Sequence, residues 1–435
     1  MLACPVLAEQ VLTMLVGFSD TLLAGHYLSE SHLAAMTLLA YLLWAFTGLF
    51  SVIAIGSTAM VARFIGAGDY EAANRVTNQS LVVGIALAMV VTVVSLALGE
   101  RLAWALRLEG EAADLANRYL QFLLPMLPAI MLQAVVIACL HGAGDTVTGL
   151  VSMVLVNLTN IALSWSLILG LGPLPRLGWD GVAIGTSVGF LIGGLVPLAV
   201  LARGRAGLKL RWDLMRPDFG LIRRLLRIGL PGGADVMSLI SLQLVFLALI
   251  NQLGTLAVAA HGVALRMESF AYLPGYAFQV AAGTLVGQFL GADDPKRAMR
   301  SVRLAGACNL TLMLIATIGL SFGADWLASW FVSATQVQVA ELAATLLRIV
   351  ALALVPLGLL QVLTGALRGA GDTRWPLAFT FIGFVGVRLP LAWWLAIHCG
   401  WGVSGAWIAM AVDLTFRCAL VVWRFEHGGW KRVKV

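Results

Sequence analysis

Four residues near the start of the sequence, Glu9, Thr13, Val16 and Asp20, follow one another at intervals of 4, 3 and 4. On a helix that spacing puts both carboxylates on one face, about three turns apart. Their surroundings are apolar, and a charge in lipid is costly unless it is paired or faces water. Low dielectric disfavours the charged form of an acid, so a carboxylate held there can load and release a proton. The same group beside amide and hydroxyl oxygens can instead ligate Na+. A third reading is a structural carboxylate bonded to neighbouring helices. Pro5, one turn before Glu9, is a candidate kink.

Polar residues in later apolar runs are the natural partners of such an acid. Asn157, Asn160 and Ser164 share one run, and Thr186 lies in the next. Asn160 and Ser164 stand four apart and can face Asp20; interhelical polar glue is the alternative. Asp20, Asn160, Thr186, Ser164 and Glu9 therefore form the candidate cation-coupling set. In the second half, Arg266 and Glu268 interrupt an apolar stretch and Asp235 lies early in another. These three form a candidate substrate site or second coupling site, the alternative for Glu268 being an ion pair with a nearby arginine. Arg348, Arg388, Asp413 and Arg417 are expected to pair with other buried groups or to lie near an interface.

Enzymatic chemistry has no foothold in the sequence. It holds no nucleophile elbow, phosphate-binding Gly-x-x-x-x-Gly-Lys loop or HExxH, so no enzyme activity, cofactor or metal is expected. The five cysteines, Cys4, Cys139, Cys308, Cys399 and Cys418, are scattered and odd in number, which fits neither a zinc site nor a disulfide framework. A net charge of +6 suggests nucleic acid in a soluble chain. Here the basic residues sit between apolar runs, where they set membrane orientation, so no nucleic-acid partner is expected.

The elements that must position these residues are long and apolar. The 435 residues are 60% hydrophobic and only 11% charged. Repeated apolar runs of about 18 residues or more are transmembrane helices, and the runs lack the alternation of barrel strands. The chain is therefore expected to be an all-α polytopic membrane protein of twelve transmembrane helices. The spans fall at about 4–26, 33–62, 78–99, 119–140, 147–170, 181–202, 229–251, 256–289, 303–324, 342–366, 375–398 and 403–423.

The halves repeat. LHGAGDT at 140–146 returns as LRGAGDT at 367–373, and VARFIGAGD at 61–69 as VGQFLGADD at 286–294. Pro5 and Glu9 answer Pro231 and Asp235, and all separations lie between 225 and 227 residues. Glu268 faces Leu43 in this register, so the shared scaffold did not dictate that acid. An N-terminal lobe at 1–202, a basic connector at 203–228 and a C-terminal lobe at 229–435 are expected. Six spans per copy give two pseudo-symmetric parallel six-helix bundles with a substrate path at the repeat interface. The GAGD and GADD segments read as helix stops and turns, since no strand precedes them as a phosphate loop requires.

Of the 28 Lys and Arg, twenty lie in the tails and even-numbered loops, eight of them between Arg203 and Arg227. Four (Arg101, Arg107, Arg118 and Arg176) lie in odd-numbered loops, and four lie within spans. The positive-inside rule then puts both termini in the cytoplasm of an inner-membrane protein.

With GFSDTLLAG around Asp20, the paired GAGDT motifs and AAHGVALRMESFAYLPGYAFQVAAGTLVGQFLG at 259–291, the chain resembles the multidrug and toxic compound extrusion (MATE) transporters over nearly its whole length. The resemblance implies a secondary active antiporter that exports amphipathic, often cationic small organic molecules against H+ or Na+. It matches Asp20 to the first-helix coupling aspartate, and Asn160 and Thr186 to polar partners of that site. Ser164 stands where DinF-type members usually place a second aspartate. Leu239 and Leu357 stand where NorM-type members place acids, which makes the pattern closer to the DinF type. The alternative within the same superfamily is a lipid-linked oligosaccharide flippase. The expected species is a monomer in the bilayer.

Overall fold

The computed structural model describes residues 2–98, 110–330, 336–433 and 435. Arg101, Arg107 and Lys434, three of the residues used to orient the chain, and the side chain of Glu30 lie outside that description. The described residues form helices and no sheet. They run α1 (Ala3–Tyr27), α2 (Glu30–Gly66), α3 (Tyr70–Leu98), α4 (Glu111–Gly142), α5 (Val147–Leu169) and α6 (Trp179–Arg203). After the connector come α7 (Phe219–Asn251), α8 (Thr255–Gly291), α9 (Pro295–Ser329), α10 (Val337–Gly369), α11 (Arg374–His398) and α12 (Gly402–His427). Eleven of these are long and apolar enough to cross a membrane. The remaining one, α8, has 37 residues, but His261, Arg266, Glu268, Gln279 and Gln288 dilute its apolar character.

Prolines shape two of the helices, α4 and α11. In α4 a 3-10 turn at Leu124–Met126 carries Pro125, and Pro128 opens the next segment. Each proline removes an N–H and its ring crowds the preceding turn. In α11 two π-helical turns, Phe384–Arg388 and Trp394–His398, flank the short segment that starts with Leu389 and Pro390. Pro5 does not act this way. Counted from Ala3 it falls in the first turn of α1, where a missing N–H removes no helix bond.

The chain divides into two compact units, Met1–Gly233 and Ala234–Val435. The division falls inside α7, which starts at Phe219, ten residues before the expected start of the seventh span. The first part of α7 belongs to the first unit because Gly229 and Gly233 lie directly on the α2 backbone at Val52; a side chain at either glycine would collide with it. In the second unit α8 and α10 cross equally closely. Gly365 abuts Gln279 and Gly369 abuts Gly283, backbone to backbone, a small-residue crossing typical of membrane helices.

The four repeated turns are alike. The amide of Asp69, Asp145, Asp294 and Asp372 donates to the carbonyl five residues earlier at 2.9, 2.8, 2.8 and 2.8 Å. The residue before each adopts a left-handed backbone: Gly68 (φ 73°), Gly144 (φ 90°), Gly371 (φ 84°) and Asp293 (φ 56°). These are helix C-caps of the Schellman kind. The aspartate side chain can then cap the start of the next helix: Asp145 accepts from the amides of Val147 and Thr148 at 3.0 and 3.2 Å.

Candidate functional site

The apolar face of α1 packs on α5, and three side chains meet where α1, α5 and α6 come together. Asp20 is 3% exposed. Asn160 on α5 donates its Nδ2 to Asp20 Oδ1 at 3.0 Å, and Thr186 on α6 donates its hydroxyl to Oδ2 at 2.6 Å. Asn160 Nδ2 also donates to Thr186 Oγ1 at 2.9 Å, while the Ser19 hydroxyl has two acceptors in range, the Val16 carbonyl at 2.9 Å and Asn160 Oδ1 at 3.0 Å. The buried Tyr119 hydroxyl of α4 approaches the same carboxylate. Asn157, one turn before Asn160, donates to the Leu12 carbonyl at 2.9 Å and fixes the register of α5 on α1.

Every partner of this carboxylate is neutral. The other buried aspartates of the two units have arginine partners: Asp145 with Arg205 at 2.7 Å, Asp235 with Arg368 at 2.7 Å, Asp372 with Arg424 at 2.8 Å and Asp413 with Arg388 and Arg417 at 2.8 and 2.9 Å. A fixed guanidinium holds its carboxylate charged, whereas hydroxyl and amide donors leave both protonation states within reach. The arrangement can therefore bind and release a small cation, a proton first of all.

The sequence-selected residues divide. Asp20, Asn160 and Thr186 are brought together. Ser164 is fully buried but stands against Gly185 of α6, with no hydrogen-bond partner for its hydroxyl. Glu9 lies eleven residues back along α1, beside His141 at 3.2 Å. Asp235 is tied to Arg368 and accepts from the Thr380 hydroxyl at 2.6 Å. Arg266 is exposed, on a different side of α8 from the buried Oε2 of Glu268. That oxygen has no hydrogen-bond partner, and Arg388 is the opposite charge acting on it. Arg348 pairs at the surface with Asp325 at 2.5 Å.

Sequence reasoning missed Tyr119, Ser19, His141 and Gln243. Gln243 joins the second unit's arginine centre, where Arg388 Nη1 donates to its Oε1 at 3.4 Å and the guanidinium lies over the Phe384 ring at 4.0 Å. The available signal was the repeat itself. Adding the repeat offset to Asp20 gives Phe246, which lies under the same guanidinium at 5.6 Å.

Fold and sequence repeat together define a multi-pass membrane protein made of two repeated helical units. The MatE family profile matches residues 5–166 and again 231–394, the two matches starting as far apart as the sequence motifs do. A probable multidrug resistance protein NorM of Thermotoga maritima is 29% identical over 99% of this chain and 92% of its own length. The NorM protein of Bradyrhizobium diazoefficiens, also described as probable, is 31% identical over 98% and 92%. Two solved structures share the fold: a MATE protein in the bent conformation, with TM-score 0.90, 22% identity and 99% and 95% coverage, and an outward-facing multidrug resistance MATE transporter of the MOP superfamily, with TM-score 0.91, 21% identity and 99% and 96% coverage. The chain belongs to the MATE family of multidrug transporters.

Proposed function

We propose that this protein is a proton-coupled exporter of amphipathic, often cationic organic compounds, working by alternating access, with Asp20 as the proton-carrying group. The observation that carries the reading is the buried Asp20 carboxylate held by neutral donors alone, among buried aspartates otherwise clamped by arginine. Protonating Asp20 removes a charge that the Asn160 and Thr186 donors stabilise, so the grip of α1 on α5 and α6 weakens and substrate binding changes with it. Protons fit the geometry better than Na+. Asn160 turns its amide nitrogen, and not the oxygen that a metal ion needs, to the carboxylate.

The coupling site then lies in the first unit, as in the DinF-type pattern, although the compared relatives carry the NorM name. Leu239 and Leu357 keep the second unit apolar at the positions where a NorM-type acid is expected. The distribution of lysine and arginine supports an inner-membrane protein with both ends in the cytoplasm, and one chain contains both units a transporter of this kind needs.

The test is substrate efflux from proteoliposomes under a pH gradient and, separately, a Na+ gradient. Wild-type protein is expected to respond to the pH gradient, and Asp20→Asn to lose at least about tenfold in rate, the equivalent of about 1.4 kcal/mol. Undiminished export by Asp20→Asn, or export driven by Na+ alone, would sink the proposal.

A further inference from the structure

The repeat places an acid–base pair at the same point of each unit. In the second unit it is Asp235 on α7 with Arg368 at the end of α10, 2.7 Å apart, the side chains 3% and 14% exposed. In the first it is Glu9 on α1 with His141 at the end of α4, 3.2 Å apart and 8% and 9% exposed. Glu9 corresponds to Asp235, and His141 of LHGAGDT to Arg368 of LRGAGDT. One pair carries a guanidinium charged at any physiological pH; the other carries the side chain whose ordinary pKa lies in that range. The fold thus sets an acid beside a base at this point twice, once with a permanent positive charge and once with a conditional one.

We propose that Glu9 and His141 are a second proton-binding site of the first unit, separate from Asp20, whose protonated state reproduces the fixed ion pair of the second unit. The unprotonated pair has a net charge of −1; taking up one proton from water brings it to the imidazolium–carboxylate pair with no net charge. Glu9 is confined for this purpose: its carboxylate presses on the α5 backbone at Gly149, where any side chain would collide with it. Eleven residues at about 1.5 Å each put Asp20 roughly 16 Å further along α1, beyond direct contact.

A cavity of about 560 Å³ lies at this end of the unit, lined by Pro5, Ala143, Gly144, Asp145, Val147 and Arg205 among others; Pro5 is one turn before Glu9, and Ala143 and Gly144 come just after His141. The charged and titratable groups at this end of the surrounding elements are Cys4 on α1, Arg63 on α2, Asp69 in the turn that follows, Tyr70 and the Glu71–Arg75 pair on α3, Cys139 on α4, Arg203 on α6 and the Asp145–Arg205 pair in the turn. Asp145 and Glu71 already have arginine partners, the exposed Asp69 accepts from the Ala72 amide, and α5 contributes no ionisable side chain, so Glu9 and His141 are the buried acid and base left to share the proton.

The experiment is a pH titration of the full-length protein in lipid nanodiscs with 15N-labelled histidine, the His141 signal identified by its loss in His141→Gln. The sequence has only six histidines, so the spectrum is tractable. The titration runs from about pH 5 to pH 8; the His141 signal is expected to change across it, and Glu9→Gln to alter that change, as loss of a neighbouring carboxylate requires. Asp20→Asn is expected to leave it in place, which separates this site from the coupling proposal. His141→Arg, which copies the second unit's pair, is expected to transport with a pH profile lacking one titration. A His141 signal that is constant over this range, a change indifferent to Glu9, or an unchanged pH profile in His141→Arg would overturn the assignment.

Discussion

Thr186 has one hydroxyl proton and two acceptors in range, Asp20 Oδ2 at 2.6 Å and the Val182 carbonyl at 3.0 Å. The shorter, charge-assisted bond wins it. A bond to a carboxylate contributes about 1.5–3 kcal/mol, so Thr186→Val, which keeps the shape and removes the donor, is expected to slow pH-driven efflux by about tenfold or more. Thr186→Ser, which keeps the donor, is expected to stay near wild type. Equal rates for Val and Ser would show that the hydroxyl does not serve the carboxylate. The polar core of this site was legible because polar residues are scarce in apolar runs: Asp20, Asn160 and Thr186 stand out on sight. Tyr119 does not, because an aromatic residue near the end of a span has an ordinary reason to be there at the membrane interface. His141 hid inside a motif whose glycines and aspartate explain themselves as a turn. Ser164 was over-read for the opposite reason. Its spacing from Asn160 puts it on the correct face, but spacing says nothing of the Gly185 backbone that closes over it.

At the scale of elements, the connector between the repeats is held rather than loose. Three amides on α3 grip its backbone. Asn74 donates to the Gly207 carbonyl at 2.9 Å and accepts from the Lys209 amide at 2.7 Å. Asn78 donates to the Lys209 carbonyl at 3.0 Å and accepts from the Arg211 amide at 2.9 Å. Gln79 donates to the carbonyls of Leu214 and Arg216 and accepts from the Asp218 amide at 3.0 Å. Each side-chain amide pairs with both polarities of an otherwise irregular segment, so its backbone groups are satisfied as a strand partner would satisfy them. Asn78→Ala removes two of these bonds, worth about 1 kcal/mol each. Trypsin is expected to cut the Lys209–Arg211 stretch of the reconstituted variant at least about tenfold faster than in wild type, because cleavage depends on local opening. An unchanged cleavage rate would mean that the segment is fixed by something else. The sequence marked this stretch as a boundary by its charge, yet not where its helix begins. Phe219–Arg227 mixes arginines with leucines, so charge argued for a loop. Their helical spacing and the close seat of Gly229 on α2 prevailed.

Across the whole molecule the repeat was the most readable feature, because identical turns need identical glycine and aspartate positions. What each unit does with its copy was not readable, since that depends on partners far away in the chain. The second aspartate-bearing turn of each unit is clamped by an arginine after the unit's sixth helix or in its last turn: Asp145 by Arg205, and Asp372 by Arg424. The first of these clamps has a pH signature. Burial raises the Asp145 carboxyl, but the hydrogen bonds from Arg205 and from Thr148 outweigh it, and the group ends below the ordinary carboxylate value. A depressed folded-state pKa stabilises the protein above the unfolded value near pH 4, and the contribution is lost as the pH falls through the lower folded value. Asp145→Asn is therefore expected to lower the melting temperature in detergent at pH 7.5, and the gap to wild type is expected to narrow below about pH 4. Arg205 is half-exposed and screened by solvent, so the loss at pH 7.5 is modest, about 1–3 °C. Asp372→Asn acts on a different unit and shares no partner with Asp145, so the two losses are expected to add in the double variant. A pH-independent gap for Asp145→Asn would mean that the clamp works through the shape of the turn and not through charge. A double variant no worse than either single one would mean that the two units do not unfold through separate clamps.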